Sequence, residues 1–531
     1  MKKTTIFRLI ITLLITMLLY YVMLPAINLS SSVFWLFLIL VIIIYYMTSI
    51  IALRELPQTI IRKFNNPNEL KKGLLVLIIP GIFLLITLIN FINSPFFTAK
   101  SYHNRITINE DGKFNEGIKN VDFNMLPLLD KFSSQKLGDR VMGQMPELVS
   151  QFYVSDLYTQ INYNNDIIRV TPLEYNGFFK WFANKKDGVK GYITVNSVTG
   201  ESKLVKLDKG MKYMPSAYLN DNLYRHLRFN YPTEIFGKEN FEIDNDGNPY
   251  WIIPTLKYTG VGLKEEVTGI IMLNPITGDS KKYTVKDVPK WVDHVYPADL
   301  IISQVNDWGK YVNGYFNAIF GQKDVVKTTR GYNYLAQNDD IYLYTGITSA
   351  ASDESNLGFI LTNLRTKETI FYAVAGAEEY SAMASAEGQV QQMKYVASFP
   401  LLINLNSKPT YLMSLKDNAG LVKMYAFVDV VDYQKVVVTD SSKGIEEAAN
   451  NYLGNSIYDE NVLETKEIKI ESIKTTLIDG NTYYYIISEE NDKFRISIKI
   501  NENILPFINI GDKFKVTYQK GEVNNITKIN K

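Results

Sequence analysis

Three long apolar runs crowd the N-terminal end of this 531-residue chain, and no other feature limits its fold as strongly. Leu9–Ile27, Val33–Leu53 and Gly73–Ile92 contain no Asp, Glu, Lys or Arg. About 20 apolar residues in a helix cross a hydrocarbon core of ~30 Å. The sequence therefore predicts a membrane domain over 1–93 with three transmembrane α-helices at 9–27, 33–53 and 73–92. Lys2, Lys3 and Arg8 precede the first run, as in a cleaved leader, but no small-x-small site ends it and two further runs follow.

Charge in the short loops sets an orientation. The segment from Arg54 to Lys72 carries Arg54, Arg62, Lys63, Lys71 and Lys72 against Glu55 and Glu69, whereas Asn28–Ser32 carries no charge. Basic loops stay in the cytoplasm. The expectation is a multi-pass plasma-membrane protein with a cytoplasmic N-terminus and everything after Asn93 extracytoplasmic. Pro25, Pro80 and Asn90 are the notable residues of the runs, and no ionisable relay accompanies them, which favours an anchor or docking bundle over a transport path.

Composition narrows the function classes. With no cysteine, disulfide scaffolds, thiol catalysis and cysteine-ligated metal centres are excluded. Lys and Arg total 56 against 55 Asp and Glu, a balance that argues against a chain built to hold nucleic acid.

After Ser94-Pro95 the sequence turns Tyr-rich and strand-prone, and beyond a juxtamembrane segment over 94–165 it repeats. Gly191-Tyr-Ile-Thr-Val-Asn-Ser-Val-Thr-Gly-Glu-Ser202 matches Gly269-Ile-Ile-Met-Leu-Asn-Pro-Ile-Thr-Gly-Asp-Ser280, and Gly358-Phe-Ile-Leu-Thr-Asn-Leu-Arg-Thr-Lys-Glu-Thr369 is a third copy. A short apolar strand, an Asn, a Thr-Gly-acid turn and a second strand make a β-hairpin, because Asn and Gly tolerate the positive φ of tight turns. Ile167–Tyr175, Tyr250–Tyr258 and Ile341–Thr345 are the preceding strands. Apolar spacing predicts helices over Tyr218–Leu227, Leu300–Phe320 and Ala377–Tyr395. A degenerate further unit covers Leu401–Val438. Residues 166–440 thus read as α+β modules of about 80–90 residues.

Helix followed by strand, Asn-x-x-Thr-Gly-acid turn and strand resembles the PepSY-like fold of exported bacterial proteins. The whole layout is similar to Gram-positive membrane proteins with three N-terminal spans and a long exported region. The third copy departs from the pattern, with Lys367 at the turn glycine. PepSY-like domains are associated with propeptides, protease control and envelope regulation, so the resemblance implies binding rather than catalysis.

A helical linker over 441–467 leads to closely spaced strands in 468–531, which read as a small OB-like β-barrel. The fold class expected is therefore three membrane helices, exported α+β repeats and a C-terminal barrel.

Candidate chemistry is sparse. Arg225, His226 and Arg228 could meet an anionic ligand such as phosphate, although a solvated basic helix face is the commoner explanation for such a cluster. His103, His226 and His294 show no zinc spacing. Glu242–Asn248 lacks the final acid of a calcium loop, as Ile253 holds that place. Ser133 and Lys136 have Ser-x-x-Lys spacing, but no Lys-Thr-Gly accompanies them. Glu378 and Glu379 point about 100° apart on a helix and are poorly placed to act together, with Glu387 further along. Tyr483, Tyr484 and Tyr485 with Lys493 and Arg495 could stack on single strands, yet alternate tyrosines must point inward. No catalytic residue, metal ligand or cofactor is assigned. The expected function is a non-enzymatic envelope scaffold or regulator that binds a protein or peptide, with no nucleic acid. The alternatives are an envelope hydrolase or transferase and an accessory subunit of a transporter.

Overall fold

A computed structural model describes residues 3–53, 78–350, 355–453, 464–478, 481–519 and 521–529. Its N-terminal helices are α1 (Lys3–Met23), α2 (Ser32–Leu53), α3 (Ile78–Ile92) and α4 (Pro95–His103). Among the described residues one stretch, Ile6–Met23 in α1, is both long and apolar enough to cross a bilayer. Ser32–Thr48 is apolar but shorter, and α3 passes only if joined to α4 across a 51° bend. The 15 residues of α3 rise about 22 Å, short of a ~30 Å core. The expected three-span membrane domain is thus corrected to one such helix, or two if the bent pair counts. Residues 54–77, with the basic loop and the start of the third run, lie outside the described residues.

β-sheet dominates the described residues beyond α4, which corrects the expected class of membrane helices carrying α+β modules. The chain divides into two units, Met1–Met383 with Ser398–Thr410 and Val430–Asp432, and Ala384–Ala397 with Tyr411–Asp429 and Tyr433–Lys531. In the first unit β1 (Ile108–Gly112) and helix α5 (Lys131–Gly143) precede a sheet of β2 (Phe152–Val154), β3 (Thr159–Tyr163), β4 (Asp166–Tyr175), β5 (Val189–Asn196) and β6 (Ser202–Met211), with α6 (Phe178–Asn184) between β4 and β5. Helix α7 (Leu223–Asn230) then leads to β7 (Ile235–Phe236), β8 (Asn240–Ile243), β9 (Pro249–Tyr258), β10 (Glu265–Leu273) and β11 (Ser280–Thr284). Helix α8 (Ala298–Lys310) leads to β12 (Val326–Thr328), β13 (Asn333–Gln337), β14 (Asp340–Ser349), β15 (Ser355–Asn363), β16 (Thr369–Tyr372) and β17 (Gly376–Ala377).

These sheets share one path. Their orders are β2-β4-β5-β6, β7-β9-β10-β11 and β12-β14-β15-β16, and each time the second strand (β3, β8, β13) also pairs the third. The third sheet adds β1, parallel to β16, and β17 against β15.

Local chemistry explains the repeated hairpin. The Oδ1 atoms of Asn196, Asn274 and Asn363 each accept the backbone N–H groups two and three residues on, at 2.9–3.2 Å. The fifth turn residue is left-handed every time: Gly200 at φ +77°, Gly278 at +82° and Lys367 at +67°. Asparagine supplies the acceptor that turns the chain, and glycine carries the positive φ without strain.

Packing follows strand alternation. Trp251, Ile253, Ile271 and Leu273 enter a core with Val170, Tyr192 and Ile193 of the first sheet. Their neighbours Ile252 and Ile270 enter another with Ile301, Val305, Leu343 and Ile360 of the third sheet and its helix. Buried on both faces, the middle strands must be continuously apolar, as Trp251-Ile-Ile is. The helix expected over 300–320 stops at Lys310, because Tyr311 leaves helical geometry and Gly314 takes φ +83°.

The second unit contains most of a fourth sheet. After α9 (Glu379–Gln389), β18 (Val396–Ala397), β19 (Leu401–Leu405, in the first unit), β20 (Lys408–Lys416), β21 (Val422–Asp429) and β22 (Val436–Asp440), the order β18-β20-β21-β22 repeats the same path. Helix α10 (Ile445–Leu453) stacks Tyr452 on Phe427 at 5.7 Å. Strands β23 (Glu464–Ile478), β24 (Asn481–Ser488), β25 (Lys493–Ser497), β26 (Lys513–Gln519) and β27 (Glu522–Lys528) close a barrel in the order β23-β24-β25-β27-β26. Ile470, Ile486, Phe494, Ile496, Phe514, Val516 and Ile526 fill it.

Candidate functional site

The basic cluster expected to meet an anion is committed to the protein itself. Asn222 caps α7 by accepting the Arg225 N–H, and Leu223 and Leu227 turn one face into the core. Arg228 is buried, lies 4.2 Å over the Phe236 ring, and donates to the carbonyls of Leu24, Tyr231, Pro232 and Glu234. Burial lowers its pKa to about 10. Arg225 lies 4.1 Å over the Tyr21 ring and donates to the carbonyls of Tyr21 and Leu219. His226 Nε2 is 2.8 Å from the Gly278 carbonyl. Together the two arginines hold the C-terminal end of α1 against α7.

The other sequence candidates also have structural partners. His103 Nδ1 meets the Trp308 carbonyl at 2.6 Å, and His294 Nε2 meets that of Gln160 at 2.7 Å. Asp244 Oδ1 accepts the N–H groups of Asp246 and Asn248, which makes Glu242–Asn248 part of the β8–β9 hairpin. Asp130 caps α5 through the Ser133 N–H, and the Lys136 ammonium sits 5.3 Å over the Phe132 ring. Glu379 is buried and accepts the Gly346 N–H at 2.9 Å, while Glu387 accepts that of Ala397. In the barrel Tyr484 points inward and Arg495 lies 5.3 Å over Tyr483. Among the described residues no group of three or more His, Asp or Glu is placed to hold a metal ion.

One open cleft does gather polar groups. It encloses about 810 Å³ beside β6 and is lined by Tyr163, Asp166, Tyr192, Thr194, Glu201, Lys203, Val205 to Lys209, Asp246 to Asn248 and Ile276. β6 forms one wall and ends its sheet, pairing with β5 alone among the described strands. An edge strand presents a row of outward N–H and C=O groups. Tyr192 anchors the opposite wall by donating to the Gly247 carbonyl at 2.8 Å. Lys203, Lys206 and Lys209 line it together with Asp166, Glu201, Asp208 and Asp246, so the lining mixes both signs of charge. A sequence signal was present in the lysines of Ser202–Met211, which are typical of edge strands. The partner wall comes from the next repeat and carries no local signature.

A second polar group lies buried where the three sheets of the first unit meet. Glu242 on β8 accepts the N–H groups of Asp293 and His294, and Asp293 accepts that of Asn162 on β3. Asp340 on β14 takes a two-pronged ion pair from Arg365, both contacts at 2.7 Å. Burial raises the Glu242 carboxyl to about 7, and burial with the nearby Glu242 raises Asp293 well above its ordinary value. Burial lowers His294 to about 4. These groups span positions too distant in sequence to be associated beforehand. The hydrogen bonds of Glu242, Asp293 and His294 join module to module, and none of these groups lines the cleft beside β6.

Comparison with protein-family models gave no match, and comparison with curated proteins gave none either. A solved structure of a mutant levansucrase from B. megaterium aligns at 11% identity over 82% of this chain and 98% of its own, with a TM-score of 0.17. A superposition that loose carries no argument about fold or activity.

Proposed function

We propose that the chain is a membrane-anchored binding protein of the bacterial envelope, held by α1, whose repeated sheets take up a peptide or an extended segment of a protein partner. The observation that carries this reading is the cleft of about 810 Å³ running beside β6, an edge strand with no partner strand on its outer side among the described residues. An extended peptide adding to such an edge gains main-chain hydrogen bonds, while the flanking cleft selects its side chains. The mixed charge of the walls suits a peptide better than a polyanion. The reading accords with the binding role that the resemblance to PepSY-like domains implies. Placement at the plasma membrane rests on the length and hydropathy of Ile6–Met23.

Hydrogen exchange on the detergent-solubilised full chain tests it, with peptides selected from a displayed random library. Bound peptide is expected to slow exchange in Ser202–Met211. Neighbouring N–H groups in a strand point opposite ways, so one of Val205→Pro and Lys206→Pro removes an outward donor and should weaken binding. Selected peptides that leave β6 exchange unchanged would count against the reading.

A further inference from the structure

The described part of the first unit exposes a cluster of large aromatic side chains that its core does not use. Phe316 is 63% exposed and Phe320 79%, with Phe96, Phe97 and Ile319 also exposed. We propose that this cluster lies in the interfacial layer of the bilayer, at the level where α1 leaves it; the inference rests on the reading of α1 as a membrane anchor.

The cluster sits beside the apolar helices. Ring contacts run without a gap from α3 into the patch: Phe91 to Phe97 at 5.1 Å, Phe97 to Phe96 at 4.7 Å, and Phe96 to Phe316 at 5.9 Å. The end of α3 is tied in turn to the end of α1. Asn90 accepts the Val261 N–H at 2.8 Å and donates to its carbonyl, while the next residue, Gly262, donates to Ser30 in the α1–α2 connection. One turn between β9 and β10 therefore pins both helix ends at one level. Phe229, also exposed, meets Tyr20 and Tyr21 in the last turns of α1.

The cluster is also held rigidly. Residues Asn317–Gly321 form a wide helical turn closed by the Gln322 N–H on the Asn317 carbonyl at 2.7 Å. The Asn317 side chain clamps both the N–H and the carbonyl of Lys323. The loop is thus braced with Phe320 outward. Aromatic rings concentrate at membrane interfaces, where an apolar body and a polar surrounding coexist. A bilayer fits better than a protein partner because the patch is continuous with helices whose own outer residues, Leu14, Leu18, Leu84 and Leu88, are exposed and apolar.

The chain has no cysteine, so single labels are unambiguous. Nitroxide would be attached to Phe316→Cys, Phe320→Cys, Leu14→Cys and Asn245→Cys in the full chain, reconstituted in phosphatidylcholine–phosphatidylglycerol vesicles. Relaxation by oxygen against a water-soluble nickel chelate then reads depth. Positions 316 and 320 are expected to favour oxygen several-fold over position 245, and position 14 more strongly still. Water-like values at 316 and 320 with a lipid-like value at 14 would overturn the proposal, as would shielding from both reagents, which marks cover by protein. A water-like value at 14 would instead remove the anchor on which the proposal rests.

Discussion

Arg228 donates its Nε hydrogen to the carbonyl of Leu24 at 3.0 Å, across 204 residues of chain. Leu24 is the residue on which the chain leaves α1, and it does so at φ +49°, a conformation that leucine rarely adopts. The guanidinium therefore holds a strained exit in place and fixes the apolar helix to the first residues of the second module.

Removing that hold should be costly. Arg228→Met leaves four carbonyls without their shared donor and is expected to destabilise by about 2–4 kcal/mol. Lysine should not restore it, because it lacks the planar fork. Arg225→Ala, at a more exposed position, should cost about 1 kcal/mol or less. Thermal unfolding in detergent separates the three, and equal effects at both positions would contradict this ranking.

The asparagine turns give a second prediction. Asn196→Ala, Asn274→Ala and Asn363→Ala should each destabilise by about 1–2 kcal/mol, since each strands two turn N–H groups. At the third turn the left-handed residue is Lys367, whose ammonium reaches the Arg105 carbonyl at 2.8 Å and Glu266 at 3.3 Å. Lys367→Gly relieves the backbone while losing those contacts, so its midpoint should stay close to the parent's. Lys367→Ala loses the contacts and keeps the strain, and should fall below both.

The buried junction predicts opposed pH effects. Glu242 has a folded pKa of about 7, raised from 4.5, so the folded state holds more protons than the unfolded state between those values. Its contribution declines as pH rises from about 4.5 to 7. His294 is lowered from 6.5 to about 4, so the unfolded state holds more protons there and stability rises with pH through that window. Glu242→Gln should make the decline shallower and His294→Gln the rise, read as unfolding midpoints from pH 4 to 8. Curves parallel to the parent's for both variants would contradict the assignment.

What the sequence revealed was local. The three turns at Asn196, Asn274 and Asn363 were legible because acceptor, turn and positive φ lie within five residues. The strand Pro249–Tyr258 was legible from its apolar run, but not the division of Ile252 and Ile253 between two cores. Apolar spacing at Tyr315 and Ile319 suggested that the helix continued, and Gly314 breaks it. Arg225, His226 and Arg228 read as a basic face because Tyr21, Leu24 and Gly278, which occupy them, are far away in sequence. The cleft was hidden for the same reason: β6 signals an edge, and the β8–β9 turn that faces it belongs to the next repeat.

That β6 receives a partner chain is tested most directly by site-specific photo-crosslinking in intact cells. A photoreactive residue at Lys206, on β6, is compared with one at Lys113, an exposed position away from the cleft. A discrete adduct is expected from position 206 and none of matching mass from 113. The adduct should be lost when Val205→Pro or Lys206→Pro blocks the outward edge, the proline at 206 being tested with the probe moved to Lys203. No adduct from the β6 positions, or one indifferent to both prolines, would contradict a partner strand at this edge.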